Sequence, residues 1–365
     1  MNASWFRKLL LPGFVFQSVV IAGGYGTGRE IAEFFLTLGP KGGLLAMAVS
    51  TLIWSVVCAL SYEFARVTGS HDYRAFFGHL LGRAGIVYEI TWYGFMLIVL
   101  AVIAAAAGSI LQETFGLPYL VGVIGMTVLI GLLIFKGTDT IERFLSAWSF
   151  VLYGVYVILF AWALARFGPG IRDAFGASEV GSGWFVGGVA YAGYNLAIIP
   201  AILFSIRYVE TRKEAFTAGA LAGPIAMIPA LLFYVAMVAF YPAVTDQPVP
   251  ANVVLEGLGS RWFQILFQVM LFGTLVETGT GMLHSVNERF AASLEERGRS
   301  LSDRARAQIA LGWLVVGAVI AQFGLIGLIA RGYGTLTWVF IGIYVVPIMT
   351  IGVWRIAKAN GPGRA

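Results

Sequence analysis

Charge is scarce in this chain. Only 12% of its 365 residues are Asp, Glu, Lys or Arg, where a soluble globular domain carries about 25%. That shortage leaves too little polar surface for a fold bathed in water. Cysteine is nearly absent: the single Cys58 excludes an internal disulfide and, lying in an apolar run, reads as inert packing. There are three histidines, His71, His79 and His284, with no paired-histidine metal motif and no phosphate-binding loop. A Gly-x-Gly-x-Gly run without a preceding soluble strand is not a nucleotide fingerprint. No enzymatic chemistry is therefore indicated. Strict apolar/polar alternation is also missing, which excludes a transmembrane β-barrel. No small-residue cleavage site follows the first apolar run, so a removable signal peptide is not expected.

What the chain has is long apolar runs, 59% hydrophobic residues in all. A membrane-spanning helix needs about 20 such residues. The runs predict an all-α membrane protein with one transmembrane domain over 1–365 and ten transmembrane helices: 12–38, 42–67, 84–111, 117–136, 140–167, 184–208, 215–241, 262–290, 307–323 and 332–354. These are spans 1 to 10 below. The stretch Asp72 to Leu81 reads as an amphipathic helix at the bilayer interface. Thr245 to Ser260, with Pro248 and Pro250, is the longest late connection between spans.

Basic residues orient the chain. With ten spans, 18 of the 24 Lys and Arg fall on the side of the termini and 5 on the other, leaving Arg29 within the membrane zone. The positive-inside rule then places both termini in the cytoplasm of a cell membrane. The net charge of +5 is accordingly a topology signal rather than a footprint for nucleic acid.

Span 1 contains Gly23-Gly24-Tyr25-Gly26-Thr27-Gly28. Each glycine costs a helix about 1 kcal/mol relative to alanine, and non-helical backbone at membrane depth persists only where protein or a cavity surrounds it. Close helix packing through small residues is the competing explanation, but Arg29 and Glu30 follow at once, and ionisable residues inside a membrane mark functional sites. Span 6 carries a weaker echo: Gly187-Gly188, Tyr191, Gly193, Tyr194, Asn195 and then Pro200. Interruptions at matching places in two halves point to inverted repeats with a site between them. The halves are about 12–167 and 184–354, five spans each.

This layout resembles the LeuT fold of the amino acid–polyamine–cation superfamily: a 5+5 inverted repeat with discontinuous helices 1 and 6. More narrowly, the run Gly23 to Phe35, ending Gly28-Arg29-Glu30-Ile31-Ala32-Glu33-Phe34-Phe35, is similar to the first-span signature of YkvI-type membrane proteins. That family supplies a fold and a transporter class, not a substrate.

Glu277 stands about fifteen residues into span 8. Thr274, Glu277, Thr278 and Gly281 share one helical face, which His284 and Ser285 continue. In sodium-coupled members of the LeuT fold, an i, i+3, i+4 set on span 8 and carbonyls of the unwound first span bind sodium. The resemblance thus implies Thr274, Glu277 and Thr278 with the backbone at Ala22, although a glutamate there departs from the family's small ligands. Glu277 is either a hard oxygen ligand for Na+ or the carrier of a coupling proton. A structural carboxylate paired with a neighbouring helix is the bland alternative.

After the break, Arg29 and Glu33 are spaced to neutralise each other and are the gating candidates. Glu30 is assigned with Glu277 to ion coupling. Free amides at the start of this half-helix would suit a substrate carboxylate, to which Arg29 could add charge, while Glu30 or Glu33 could serve an amine or a proton. The substrate-binding set is Gly24, Tyr25, Gly26, Thr27, Gly28, Tyr191, Tyr194 and Asn195. Trp148 and Tyr153 could join Tyr25, Tyr191 and Tyr194 in lining a pocket for an amine. Glu63 and Glu89, near the cytoplasmic ends of spans 2 and 3, are expected to be solvated helix ends, with gate salt bridges to Arg66 or Arg207 as the alternative.

The resulting expectation is Na+- or H+-coupled symport of a small organic solute, an amino acid or related amine, by alternating access. No cofactor is expected beyond a bound Na+. A uniporter or channel of the same fold, and a membrane ligand sensor that moves nothing, remain as alternatives. A metal transporter fits less well, because the span 1 break lacks Asp and Asn and span 6 lacks Met and His at its interruption.

Overall fold

The computed structural model describes residues 5–136, 138–295 and 298–359, with the side chains of 135–147, 149–150, 285, 288–289, 292–293, 295 and 303 left aside. The side chains of Lys136, Arg143, Ser285, Arg289, Arg297 and Arg364 therefore lie outside the described residues. Every regular element among the described residues is helical. Eight helices are long and apolar enough to cross a membrane: Pro40–Thr68, Tyr73–Phe115, Val151–Ala177, Trp184–Ile206, Arg212–Val238, Arg261–His284, Arg304–Phe323 and Leu325–Ala359. The shorter apolar helix Tyr119–Ile134 corresponds to span 4. Span 1 is divided into pieces, each too short to qualify alone. The described residues thus hold eight spans by length and composition, and the expected ten would need these two elements as well.

Burial separates interior from rim. The most apolar stretches of Tyr73–Phe115 and Trp184–Ile206 are each 78% buried, against 22% for Arg304–Phe323. Spans 3 and 6 therefore form the core, and span 9 faces outward. Span 3 achieves this with the buried run 101–107, five of its seven residues alanine, because small side chains let neighbouring backbones approach. On span 4, Leu120, Ile124, Val128 and Leu132 recur every four residues and are all exposed. That is an apolar stripe presented to lipid. Spans 2 and 7 pack closely: a Cβ added to Gly219 would lie 2.2 Å from the Ala59 Cα.

Several local features differ from expectation, each for an identifiable reason. Asp72 caps the short helix Tyr73–Leu81 by accepting from the Ala75 N–H at 2.9 Å. The span 5 helix continues to Ala177, past Pro169. The carbonyl that Pro169 leaves without its helical donor, on Ala165, belongs to an exposed residue. The connection Thr245 to Ser260 is a structured lid: a 3-10 turn, Ala243–Asp246, leads into the helix Pro250–Leu258.

Span 6 does not unwind into extended chain. It runs as an α-helix over Trp184–Asn195 and continues as a 3-10 helix over Leu196–Ile206. Two side-chain effects meet at the switch. Asn195 Nδ2 donates to the Tyr191 carbonyl at 3.0 Å, and Pro200 has no N–H to give Leu196. Tighter winding is the outcome, and 3-10 runs of this length are uncommon. Span 10 departs the other way, with π turns at Leu328–Tyr333, Ile341–Val345 and Ile348–Gly352.

Candidate functional site

The break in span 1 is double, and the glycines lie between its two parts. Helix Leu11–Val20 ends at Ile21 (ψ 80°), and Ala22 is extended (φ −107°, ψ −167°). The glycine run then forms one helical turn, Gly23–Gly26. A second interruption falls at Gly28, whose φ of 82° lies in the left-handed region that glycine adopts without the penalty a Cβ brings. Helix Arg29–Phe34 resumes from there. The break expected within Gly23–Gly28 is thus found at Gly28, with another interruption just ahead of the run at Ile21–Ala22. Thr27 is committed internally: its hydroxyl donates to the Gly23 carbonyl at 2.9 Å.

Glu30 lies on one side of this break and is 1% exposed. Its carboxylate folds back over the preceding turn. It accepts the Tyr194 hydroxyl at 2.6 Å and the Tyr25 N–H. The fit depends on Gly24, where a Cβ would stand 2.2 Å from Glu30 Oε1. Tyr333, from a π turn of span 10, stacks on Tyr194 with ring centroids 4.5 Å apart. Phe34 packs against both Tyr191 and Tyr194. A cavity of about 10 Å³ beside Glu30 is lined in part by Ala22, Phe95, Tyr194, Asn195 and Tyr333. That is about the space one water needs. The hydroxyls of Tyr25 and Tyr191 are buried here without a hydrogen-bond partner.

Glu277 lies on the other side. It lines a second cavity of about 10 Å³ with Ser18, Ile21, Leu152 and Tyr153. The expected coupling set is only partly assembled. Thr274 and Thr278 are buried, but their hydroxyls donate to the carbonyls of Met270 and Thr274 on their own helix, at 3.0 and 3.2 Å. Back-bonding to the i−4 carbonyl is the usual resting state of a helical threonine. Ala22 lines the Glu30 cavity, and the span 1 residues facing Glu277 are Ser18 and Ile21. The two-residue break therefore has one acid on each side. Tyr153 also donates its hydroxyl to Gln17 Oε1.

The remaining substrate-set residues are dispersed. Gly26 packs on Leu271, and its carbonyl accepts the Tyr156 hydroxyl at 3.3 Å. Gly28 faces Phe233 and Met237. Trp148 Nε1 donates to the Met270 carbonyl at 3.0 Å, and its ring occupies the space above Gly273. Trp148 is therefore a packing residue.

Both ends of the site are tied shut. Arg29 is 2% exposed and reaches the lid: Nη1 donates to the carbonyls of Thr245 (2.5 Å) and Gln247 (3.0 Å), and Nη2 pairs with Glu33 at 2.7 Å. The lid's Ala251 N–H donates to the Thr27 carbonyl at 3.0 Å. On the opposite face, Lys8 bridges Glu210 (2.7 Å) and Glu214 (3.1 Å) at the head of span 7. The Glu210 carboxylate, seconded by Glu214, holds the Lys8 ammonium above its ordinary value. Nearby, Arg66 grips Glu63 through two hydrogen bonds of 2.7 and 2.9 Å. Glu63 is fully buried rather than solvated, because the guanidinium accompanies it. Glu89 is half-buried.

No family model matches the chain. Over 297 residues it is 23% identical to an uncharacterised membrane protein, YkvI of Bacillus subtilis (strain 168), covering 78% of this chain and 82% of that one. Among solved structures it is similar to MhsT in complex with L-phenylalanine, with a TM-score of 0.62 at 14% identity over 96% of this chain and 97% of that one. Mhp1, a nucleobase-cation-symport-1 family transporter, in a closed conformation with bromovinylhydantoin bound, gives 0.58 at 14% identity, covering 95% and 76%. A Na+-coupled sialic acid symporter, substrate-bound and outward-open, gives 0.53 at 16%, covering 95% and 84%. The chain has the LeuT fold.

Within this LeuT-fold membrane protein, several site residues carried no signal in the sequence. Gln17 and Ser18 look like ordinary polar interruptions of an apolar run, and Tyr333 and Phe95 like interior aromatics. Asn252 sits in the lid, where it joins Glu113 (2.9 Å) and Gln268 across three elements. Only the spatial convergence of spans 1, 3, 5, 6, 8 and 10 gives these residues a role.

Proposed function

We propose that this protein is a secondary transporter that couples a cation, Na+ or H+, to the movement of a small organic solute by alternating access. The observation that carries the reading is the Ile21–Ala22 break with a carboxylate on each side, Glu30 and Glu277. A buried acid is costly in a membrane unless function requires it, and two acids on opposite sides of one broken helix provide separate places for a substrate and a coupling ion. Glu277, with Ser18 and the backbone at Ile21, is the coupling site, where the carboxylate either ligates Na+ or carries the proton. Thr274 and Thr278 can still offer acceptor lone pairs to a cation while their hydroxyls donate elsewhere. Glu30, Tyr194, Tyr191 and Asn195 face the solute.

The ties at both faces support an occluded form within this cycle. The halves 12–167 and 184–354 act as the inverted repeats, and both termini are cytoplasmic, so that Arg29 and Glu33 close the outer side and Lys8 the inner. Purified protein in liposomes, offered radiolabelled amino acids and amines under separate inward Na+ and H+ gradients, tests the proposal. Accumulation driven by one gradient is expected; uptake of any solute that is indifferent to both would refute the coupling.

A further inference from the structure

We infer that Glu30 is a built-in anion occupying the place at the span 1 break where a substrate carboxylate would dock, and that the solute is a monocationic amine lacking a carboxylate. The inference rests on the transporter reading above and narrows its substrate.

Three observations lead there. The first is what happens to the broken backbone. Half-helix starts in discontinuous membrane helices present N–H groups to anionic substrate groups. Here the Tyr25 N–H is already taken by Glu30, whose second hydrogen bond is the Tyr194 hydroxyl. Glycine at position 24 is what lets the carboxylate lie against the turn, since Oε1 would be 2.2 Å from any Cβ there. An incoming carboxylate would meet like charge at this turn.

The second observation is charge balance. The cavity at Glu30 is lined by no Lys, Arg or His. Arg29, next in sequence, turns its terminal nitrogens to Glu33 and to the Thr245 and Gln247 carbonyls in the lid. A zwitterionic amino acid would bring its own carboxylate into a site that holds one acid and no matching cation. A single positive charge complements the site and a zwitterion does not.

The third is the wall. Tyr194 and Tyr333 stack, Phe34 and Tyr191 close on Tyr194, and Phe95 borders the cavity. Aromatic faces around a buried carboxylate favour an ammonium group through cation–π attraction. The buried hydroxyls of Tyr25 and Tyr191 have no partner and lie within electrostatic range of Glu30. They can accept hydrogen bonds from an ammonium. The closed form leaves space for about one water beside Glu30, so the amine enters when the lid side opens.

Matched ligand pairs test this on the full-length protein in detergent. The probes are isopentylamine with L-leucine, 2-phenylethylamine with L-phenylalanine, and tryptamine with L-tryptophan, each titrated by thermal shift. At least one amine should bind ten-fold or more tightly than its carboxylated partner, and Glu30→Gln should weaken that amine by ten-fold or more. Tyr194→Phe, which keeps the ring and drops one hydrogen bond, should weaken it several-fold and guards against a Glu30 variant that misfolds. The inference is overturned if an amino acid binds as well as its amine, if Glu30→Gln leaves amine binding intact, or if none of the pairs binds. Gradient-driven uptake of an amino acid would uphold the transporter reading and defeat this one. Amine binding without flux under either gradient would do the reverse.

Discussion

Replacing Arg29 with methionine removes every donor from the lid clamp while keeping the packed stem. Two hydrogen bonds to lid carbonyls, Thr245 and Gln247, are lost along with the Glu33 pair. A hydrogen bond to a charged group contributes about 1.5–3 kcal/mol. The lid carbonyls can turn to water when released, so the lower figure applies, giving about 3 kcal/mol for the two. At 1.4 kcal/mol per decade the lid-open population should rise by about 100-fold. The lid is not set free altogether, because the Ala251 N–H still holds the Thr27 carbonyl and Asn252 still holds Gln268. A reporter cysteine at Val249, fully buried in the lid, converts that population into a maleimide labelling rate. The native Cys58 is buried and adds little background. Glu33→Gln is the internal standard: Glu33 is 27% exposed, so its loss should cost no more than about 1 kcal/mol and raise labelling about five-fold. Equal effects from the two variants, or an unchanged rate in Arg29→Met, would refute the assignment of Arg29 as the lid's main tie.

Three further outcomes follow from the geometry. Glu277→Gln should abolish concentrative uptake while leaving solute exchange across liposomes measurable, because the coupling cavity and the Glu30 cavity lie on opposite sides of the break. Gly24→Ala should expel the Glu30 carboxylate from its seat 2.2 Å away and lower solute affinity at least ten-fold in a binding titration. Gly94→Ala, where an added Cβ meets nothing within 4 Å, should leave binding unchanged. Asn252→Ala strips partners from Glu113 and the buried Gln268 and should cost about 1–3 kcal/mol. That loss should register as a lower melting temperature and faster hydrogen exchange over residues 243–258.

The architecture was legible because membrane insertion is written in composition. Apolar runs of span length, separated by short polar connections, leave few ways to fold in lipid. The break was legible as a region, since four glycines within 23–28 cannot favour a helix, but its position was not. Glycines 23, 24 and 26 form a turn after all, because lining the break with Glu30, Leu271 and Leu275 requires small residues whatever the winding. The chain leaves the helix at Gly28, within the run, and also at Ile21 and Ala22, whose side chains gave no warning. In span 6, Asn195 and Pro200 signalled an irregularity correctly but could not specify a change of helix type. For Glu63 the alternative reading holds: an acid near a helix end looks solvated, but the pair with Arg66, three residues on, covers it.

On span 8 the shared face is kept, but its members are engaged differently. Thr274, Glu277 and Thr278 do share a helical face, yet that face is wider than the gap in front of it. Glu277 has the reach to enter the space between spans 1 and 5, while the threonine hydroxyls find carbonyls on their own helix first. A face shared along a helix is a necessary condition for joint ligation, and the partner helix decides which members act. The same reasoning separates Glu30 from Arg29. They are adjacent in sequence, but helical rotation sends one side chain inward to Tyr194 and the other outward to the lid. Because both leave the same short helix, Arg29–Phe34, lifting the lid must tilt the element that carries Glu30. Under the proposed function, a solute at Glu30 and the clamp at Arg29 would act on the same short helix, which would link closure of the lid to the Glu30 cavity.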